Sequence, residues 1–242
     1  MSKKLYHYDP KTGLLVGTSI AQEDVKASSD KPVYLKPLNC TFQVPPVVNN
    51  ERRVAKFDLE TNSWIIVDDF RGLKVVEKAT KKVITWNQIG RLPEEYTFKQ
   101  YDNDLVNYIS WIDESWKVSE EGRQLLIDDI WNLRKAIREA ECSSDISYND
   151  HLIHVDPTSF NDIMLAAQEA LISGDMTTSK RWVTADNLDV QLNGYDFIAI
   201  ARAYGARRQR LVYESNEAWQ EDIQRTNEEL VEVYKDLRNY RG

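Results

Sequence analysis

The C-terminal part of the chain carries a long helical pattern, and this pattern restricts the fold more than any other feature. Asn193 is a plausible helix N-cap, and the charge of Asp196 favours a helix N-terminus there. The pattern then continues to about Arg241, interrupted only by Gly205. Its last part repeats at alternating spacings of four and three residues, which we call the C-terminal seam: Trp219, Ile223, Thr226, Leu230, Val233, Leu237 and Tyr240.

A single helix over this pattern would be about 70 Å long, which is more than a compact domain of this size can cover. Acidic and basic residues flank the seam, as in a short coiled coil. The sequence therefore leaves two arrangements open. Either the tail folds back on residues 103–140, or its apolar seam packs on another protein chain.

Residues 91–142 are predicted to form a linker followed by helices. "IGRLPEEYT" lies in the linker, and Gly122 predicts a break or bend between two helices. The helical prediction comes from apolar residues at near-helical spacing: Leu105, Ile109, Ile112, Trp116, Leu126, Ile130, Leu133, Ile137 and Ala140.

Residues 1–90 are predicted to form a small β-rich domain. The turn "DPKTG" at 9–13 joins strands at 4–8 and 14–17, with proline and glycine at the positions that a tight turn favours. Residues 31–48 contain four prolines and are expected to be extended and covering rather than central. Further strands are expected at 53–57, 64–67, 73–77 and 82–86, as an antiparallel β-meander.

Residues 143–242 are predicted to form a mainly helical domain. A short strand pair is expected within 147–155, and Asp156 or Thr158 then caps a helix that ends near Gly174. Residues 183–192 alternate weakly, as a strand would, before the long terminal helix. The predicted fold class is therefore α+β, with a β-meander domain followed by a mainly helical domain.

Composition excludes some classes of partner. The chain has 242 residues and a net charge of -8, which disfavours binding to a nucleic-acid backbone. No apolar run approaches the roughly 18 residues that a membrane span needs, and the N-terminus does not resemble a secretory signal, so we expect folding in a cytosol. Cys40 and Cys142 are expected to be buried, and the arginines at 202, 207, 208 and 210 to form a solvated or acid-paired helix face.

The sequence contains none of the common catalytic motifs. It has no glycine-rich phosphate loop, no GxSxG and no HExxH. His151 and His154 would point to opposite faces of a strand, so a metal site is not expected. Seven tryptophans and several acidic pairs leave a glycan-degrading enzyme as the least favoured alternative. We predict no catalytic residue, no cofactor and no metal.

Three stretches resemble proteins of tailed bacteriophages. The first, from "YHYDPKTG" to "DDFRGLKVV", resembles tail or tail-fibre assembly proteins at Pro45-Pro46, Phe57-Asp58, Trp64 and Arg71-Gly72. The second and third, residues 133–163 and 181–223, resemble a C-terminal phage domain of unknown function. The matching residues in these two stretches are Asp156, Ser159, Trp182, Thr184, Asp186 and Asn187.

The resemblance implies a non-enzymatic tail-fibre-associated protein, an assembly chaperone of the fibre that either leaves the virion or remains on it. A permanent tail or baseplate subunit is the alternative. The expected partners are a fibre or other tail protein, or a second copy of the chain. The expected location is the host cytoplasm during assembly, and the virion tail if the protein remains on the particle. The candidate partner-binding residues are Trp219, Ile223, Leu230, Val233, Leu237 and Tyr240. Trp182 would anchor a turn by packing, and Asp186 and Asn187 would hold that turn by hydrogen bonds to the backbone.

Overall fold

The computed structural model describes residues 3–26 and 32–240. The fold is α+β, with antiparallel strands in the N-terminal part followed by helices. The chain divides into two compact units. The first contains the described residues up to Val106 together with Ser110–Lys117, and the second contains Asn107–Ile109 and the residues from Val118 onward. The division therefore lies at residues 106–118, between the boundaries predicted at 90 and 142.

Among the described residues of the first unit, three small antiparallel sheets lie within residues 4–97. Strands β1 (Lys4–Tyr8), β2 (Leu15–Ile20) and β3 (Cys40–Thr41) pair in the order β2-β1-β3. Strands β4 (Arg53–Asp58) and β5 (Ser63–Asp68) form a hairpin, and β6 (Lys74–Glu77), β7 (Val83–Thr85) and β8 (Tyr96–Thr97) pair in the order β7-β6-β8. The predicted strands are thus present, but they are divided among separate sheets.

Aromatic rings form much of the core of this unit. Tyr8 stacks on Phe57 with ring centroids 4.5 Å apart, and Phe57 meets the edge of Trp64 at 5.3 Å. Cys40 is fully buried and free, as the sequence predicted for it. Such packing joins the first sheet to the β4–β5 hairpin, so the unit is stabilised mainly by apolar burial.

The helical prediction for residues 105–116 is wrong. A 3₁₀ turn (Asn103–Leu105) is followed by strands β9 (Ile109–Ile112) and β10 (Ser115–Val118). Asp113 and Glu114 both have positive φ, 47° and 60°, which a helix cannot accept but a tight hairpin turn requires. The near-helical spacing of apolar residues therefore came from two short strands and their turn.

Helix α1 (Glu120–Cys142) begins the helical part of the chain, with Ser119 as its N-cap. Gly122 does not break a helix, contrary to the prediction, but lies in the first turn of α1. A Cβ atom there would come within 1.7 Å of the Tyr108 backbone oxygen. The residue is glycine because two backbone segments meet at this point. Cys142, at the end of α1, is buried and free.

The middle of the second unit has two hairpins and a helix on one core. They are β11 (Ile146–Tyr148) with β12 (His151–Ile153), α2 (Pro157–Ser173), and β13 (Lys180–Val183) with β14 (Asp189–Leu192). Ile153, Ile163, Phe197 and Ile200 lie at the centre of this core. The single strand predicted at 183–192 is instead a tight turn followed by β14.

The predicted continuous terminal helix is also wrong. Helix α3 (Gly194–Asp222) ends before a four-residue break, and α4 (Asn227–Arg238) begins after it. Asn193 caps α3 as predicted, and Asp196 completes a reciprocal capping box with it. Thr226 and Glu229 form a second capping box at the start of α4. Arg241, the predicted end of the helix, lies outside the described residues.

Candidate protein-interaction site

Helices α3 and α4 both lie along α1, in opposite directions. Arg134, in the middle of α1, contacts Asp222 at the end of α3. Arg207, earlier in α3, donates to the Asp145 carbonyl just beyond the end of α1. Helix α3 therefore runs antiparallel to α1. Arg123, near the start of α1, bonds Asn227 at the start of α4. Tyr240 donates to Glu141, near the end of α1. Helix α4 therefore runs parallel to α1, and the tail folds back.

This arrangement determines where the C-terminal seam lies. Leu230 is fully buried, and Trp219, Ile223, Val233 and Leu237 are half-buried. Tyr240 is 47% exposed, although its hydroxyl is bonded to Glu141. The structure thus corrects the inference that the seam needs another chain to cover it, because α1 of the same chain covers its central residue. The sequence did not single out Tyr234, which is buried beside Leu230 in α4.

A buried carboxylate ends α3. Asp222 has no exposed surface, and it accepts hydrogen bonds from Nε and Nη2 of Arg134 at 2.6 and 3.0 Å. Arg225 adds a third contact at 3.3 Å. Fork-shaped guanidinium–carboxylate pairs of this kind are among the strongest hydrogen-bonded contacts in proteins. Asp222 therefore fixes the end of α3 to the middle of α1.

A second arginine holds the break itself. The Arg123 guanidinium donates to the backbone oxygens of Ile223 and Arg225, at 3.3 and 2.8 Å, and to the side-chain oxygen of Asn227 at 2.8 Å. Carbonyls at the end of a helix have no partner within that helix, so a cation that binds them stabilises the helix end. The break contains neither glycine nor proline, and these contacts from α1 stabilise it together with the capping box of Thr226 and Glu229.

A buried pair of tyrosines fixes α4 to the start of the unit. The Tyr108 hydroxyl lies 2.6 Å from an Asp129 carboxylate oxygen and 3.1 Å from the Tyr234 hydroxyl, and the two rings meet edge to face. Burial is the main cause that raises the pKa of Tyr108 well above its usual range, and the bonds to Asp129 and Tyr234 add to it. Tyr108 therefore acts as a neutral hydrogen-bonded contact between α4 and the start of the unit.

An open groove of about 290 Å³ remains beside these contacts. Ile137, Leu211, Ala218 and Leu237 supply its apolar lining. Arg134, Arg138, Glu141, Glu214 and Ser215 supply its polar lining. Of the predicted partner-binding residues, Leu237 is the one that lines this groove, and it comes from α4.

The turn that follows β13 is held mainly by Thr184, which is 1% exposed. Its hydroxyl lies 2.5 Å from an Asp186 carboxylate oxygen and accepts the Leu188 N–H at 3.0 Å. The bond from Thr184 lowers the pKa of Asp186. Asn187 adopts φ +58° and donates its backbone N–H to the Thr184 carbonyl. The prediction assigned the hydrogen bonds to Asp186 and Asn187, whereas Thr184 makes most of them.

The other motif residues of the second unit also have local structural roles. Trp182 packs edge to face on Phe197, with centroids 5.5 Å apart, as predicted. Asp156 caps α2 by accepting the Thr158 N–H at 2.9 Å and the Ser159 hydroxyl at 2.5 Å. The Ser159 bond is the main cause that lowers the pKa of Asp156. These residues stabilise the unit through local contacts.

The motif residues of the first unit fix its loops. The Trp64 indole donates to the Gln43 carbonyl at 2.9 Å, which ties the proline-rich segment to β5. Arg71 makes a two-pronged contact with Asp69, at 2.8 and 2.7 Å. Gly72 adopts φ +81°, a conformation that favours glycine.

The proline-rich segment displays apolar side chains that composition alone did not reveal. Leu38, Val44 and Val47 are 89%, 72% and 83% exposed. Their backbone is nevertheless anchored, because Cys40 pairs with β1 and the Gln43 side chain donates to the Asn62 carbonyl. The three side chains lie within residues 38–47 of one anchored segment, and apolar side chains that form a contiguous exposed patch are typical of protein-interaction surfaces. We call Leu38, Val44 and Val47 the first-unit apolar set.

The residues considered for catalysis or charge recognition are dispersed. His154 bonds Asp145 at 2.8 Å, whereas His151 lies in β12. Within residues 3–26 and 32–240, no three histidine, cysteine, aspartate or glutamate side chains are placed to hold a metal ion. Arg207 and Arg208 of the predicted arginine face bond groups at the end of α1. In the part of the chain that the structure describes, no helix is long and apolar enough to cross a membrane.

Comparison with known proteins gives one match. Residues 123–239, just under half of the chain, match a family described as a domain of unknown function, DUF4376. These residues include most of α1 and all of α2, α3 and α4. No curated protein and no solved structure matches the chain.

Proposed function

We propose that this chain is a non-enzymatic tail-fibre-associated protein of a tailed bacteriophage, which helps the fibre chain to fold or trimerise. The resemblance of three stretches to phage tail assembly proteins supports the proposal. The family match, over residues 123–239, includes the second and third of these stretches. The family itself has no assigned function.

The first-unit apolar set carries the proposal. A chaperone of an oligomeric fibre must bind a folding chain whose apolar surface is not yet covered. Leu38, Val44 and Val47 offer apolar contacts from a backbone that is already ordered. Binding to an ordered surface loses less conformational entropy than binding to a flexible one. The site acts in the host cytoplasm during assembly, where fibre chains are made.

Coexpression with the fibre chain of the same phage tests the proposal. We expect more soluble trimeric fibre in the presence of this chain than in its absence. A double variant, Val44→Glu with Val47→Glu, should remove most of that gain without unfolding the protein, because both side chains lie largely in water. Equal fibre yields with and without the wild-type chain would contradict the proposed role.

Val25→Glu is the matched control. Val25 is 92% exposed and lies in the same unit, but outside the proline-rich segment. It changes the same residue type and adds the same kind of charge. A loss of fibre yield in this control equal to that in the double variant would show that added charge, and not the apolar set, causes the effect.

The alternative role, a permanent tail or baseplate subunit, differs in where the protein remains after assembly. Mass spectrometry of purified virions distinguishes the two roles. A stoichiometric amount of this chain on the particle, together with fibre yields that do not depend on it, would favour the permanent subunit.

A further inference from the structure

The break between α3 and α4 separates two segments whose sequence pattern predicts one helix. The four-three spacing of the C-terminal seam continues through Ile223 and Thr226 without a change of register. Gln224 and Arg225 between them are good helix formers, and no residue of the break is glycine or proline. The spacing of the apolar residues therefore favours a continuous helix at the point where the structure has a turn, although Thr226 and Glu229 also form a capping box that allows a new helix to begin there.

The first and last residues of the break differ in backbone conformation. Ile223 is already right-handed helical, with φ -64° and ψ -18°. Thr226 has a helical φ of -66° but an extended ψ of 166°. Rotation of that ψ to about -40° is required to bring Thr226 into a helix. The turned form is held instead by the N-cap of Thr226 and by the Arg123 contacts with the carbonyls of Ile223 and Arg225.

Helix α4 packs on α1 and on Tyr108, which lies just before β9, through groups that a second copy of the chain could supply equally well. These interactions are the burial of Leu230, the hydroxyl contact of Tyr234 with Tyr108 and the bond from Arg123 to Asn227. By contrast, α3 is held to α1 by its own ion pair, between Asp222 and Arg134. That ion pair does not depend on where α4 lies.

We propose that α3 and α4 can straighten into one helix and that α4 then docks on α1 of a second copy, which gives a domain-swapped dimer. The second copy is the matching occupant because it presents the same α1 surface that α4 already covers. Exchange of an identical element is a low-cost route to a dimer, since each interaction broken within a chain forms again between the two chains. The inference stands independently of any role in fibre assembly.

Variants at position 227 test this geometry directly. Proline is favoured in the first turn of a helix, so Asn227→Pro fits the turned form, in which Asn227 begins α4. The extended backbone of Thr226 also suits a residue that precedes proline. In a straight helix the same proline would lie inside the helix, and the equilibrium between the straight and the turned form would shift against the straight form by on the order of 100-fold per hinge. Asn227→Ala removes the same side-chain bonds without this restraint and is the matched control.

The full chain, refolded at high and at low concentration, is measured by size-exclusion chromatography with light scattering. The wild type and Asn227→Ala should form a dimer at high concentration, and Asn227→Pro should remain monomeric. Thr226→Ala removes one cap from each of two hinges, so the dimer dissociation constant should fall roughly 30-fold. If wild type and Thr226→Ala both remain monomeric, or if Asn227→Pro dimerises as well as Asn227→Ala, the proposal is wrong.

A distance measurement identifies the straightened helix in the dimer. Spin labels are placed at positions 210 and 236, which are both exposed in the turned form. In that form both positions lie near the C-terminal end of α1. In one straight helix they would be about 40 Å apart. Both native cysteines are buried, which favours selective labelling at the introduced positions. A dimer that retains the short distance within each chain would overturn the swapped arrangement.

Discussion

Replacing Asp222 with asparagine should destabilise the second unit strongly. The substitution keeps the shape of the side chain but removes the charge that faces Arg134, whose side chain is 19% exposed, and Arg225, whose side chain is 34% exposed. Loss of one partner of a buried ion pair costs about 3–5 kcal/mol. Partial exposure of both arginines lets water replace some of the lost interaction, so we expect a cost near the lower end, about 3 kcal/mol.

Thermal unfolding followed by circular dichroism measures this effect. For a unit of this size, a loss of about 3 kcal/mol corresponds to a midpoint roughly 10 °C lower. The matched control is Asp189→Asn, which breaks an equally two-pronged pair with Arg181, at 2.8 and 2.9 Å. That pair is exposed, with side-chain exposures of 70% for Arg181 and 58% for Asp189. An exposed pair of this kind contributes little. Equal shifts for the two variants would refute the argument that burial gives Asp222 its importance.

Three further predictions concern single positions. Gly122→Ala should prevent normal folding of the second unit, because the added Cβ would overlap the backbone just before β9. Gly205 has open space around it, so Gly205→Ala should raise the free energy of unfolding by about 0.5–1 kcal/mol. Thermal unfolding followed by circular dichroism compares the two variants. Asn193→Ala should cost about 1 kcal/mol in denaturant unfolding, through loss of the α3 cap. Carbon-detected NMR titration should give Asp175 a pKa of about 2. The Thr178 hydroxyl is the main cause of this low pKa, so Thr178→Val should raise it. The stabilising contribution of the Asp175 carboxylate is present above about pH 4 and is lost as the pH falls towards 2.

Sequence reasoning succeeded where the determining interactions are local. The cap at Asn193 was predicted correctly, and the cap of α2 is Asp156, one of the two residues that the sequence offered; each acts on backbone groups two or three residues away. The first hairpin was predicted from its turn, in which the Asp9 carboxylate accepts the N–H groups of Lys11 and Thr12. Interactions over such short distances along the chain depend on neighbouring residues alone.

Prediction from the sequence failed where apolar residues of a strand hairpin have nearly the same spacing as those of a helix. Ile109, Ile112 and Trp116 fit a helical period, yet they lie on a hairpin whose turn is formed by Asp113 and Glu114 at positive φ. Neither residue is glycine or asparagine, the residues that usually signal such a turn.

That the C-terminal seam binds a partner stays a prediction. The seam is not one continuous face, because Trp219 lies on α3 while Leu230 and Leu237 lie on α4, and Leu230 at its centre is fully buried. The sequence could not tell whether the chain itself or another protein covers it. That choice depends on Arg123 and Arg134, which lie about a hundred and about ninety residues before the groups they bind. The exposure of Leu38, Val44 and Val47 was equally invisible, because a proline-rich segment can be covering or covered.

By itself, the sequence determined the α+β class, the positions of most strands and the caps at which α2 and α3 begin. Each of these follows from interactions between residues that are close along the chain. The turn of the terminal helix at residues 223–226 depends on contacts with α1, because the apolar spacing there favours one continuous helix. The buried ion pair of Asp222 with Arg134, and the hydrogen bonds from Arg123 to the carbonyls of the break, outweigh that local preference.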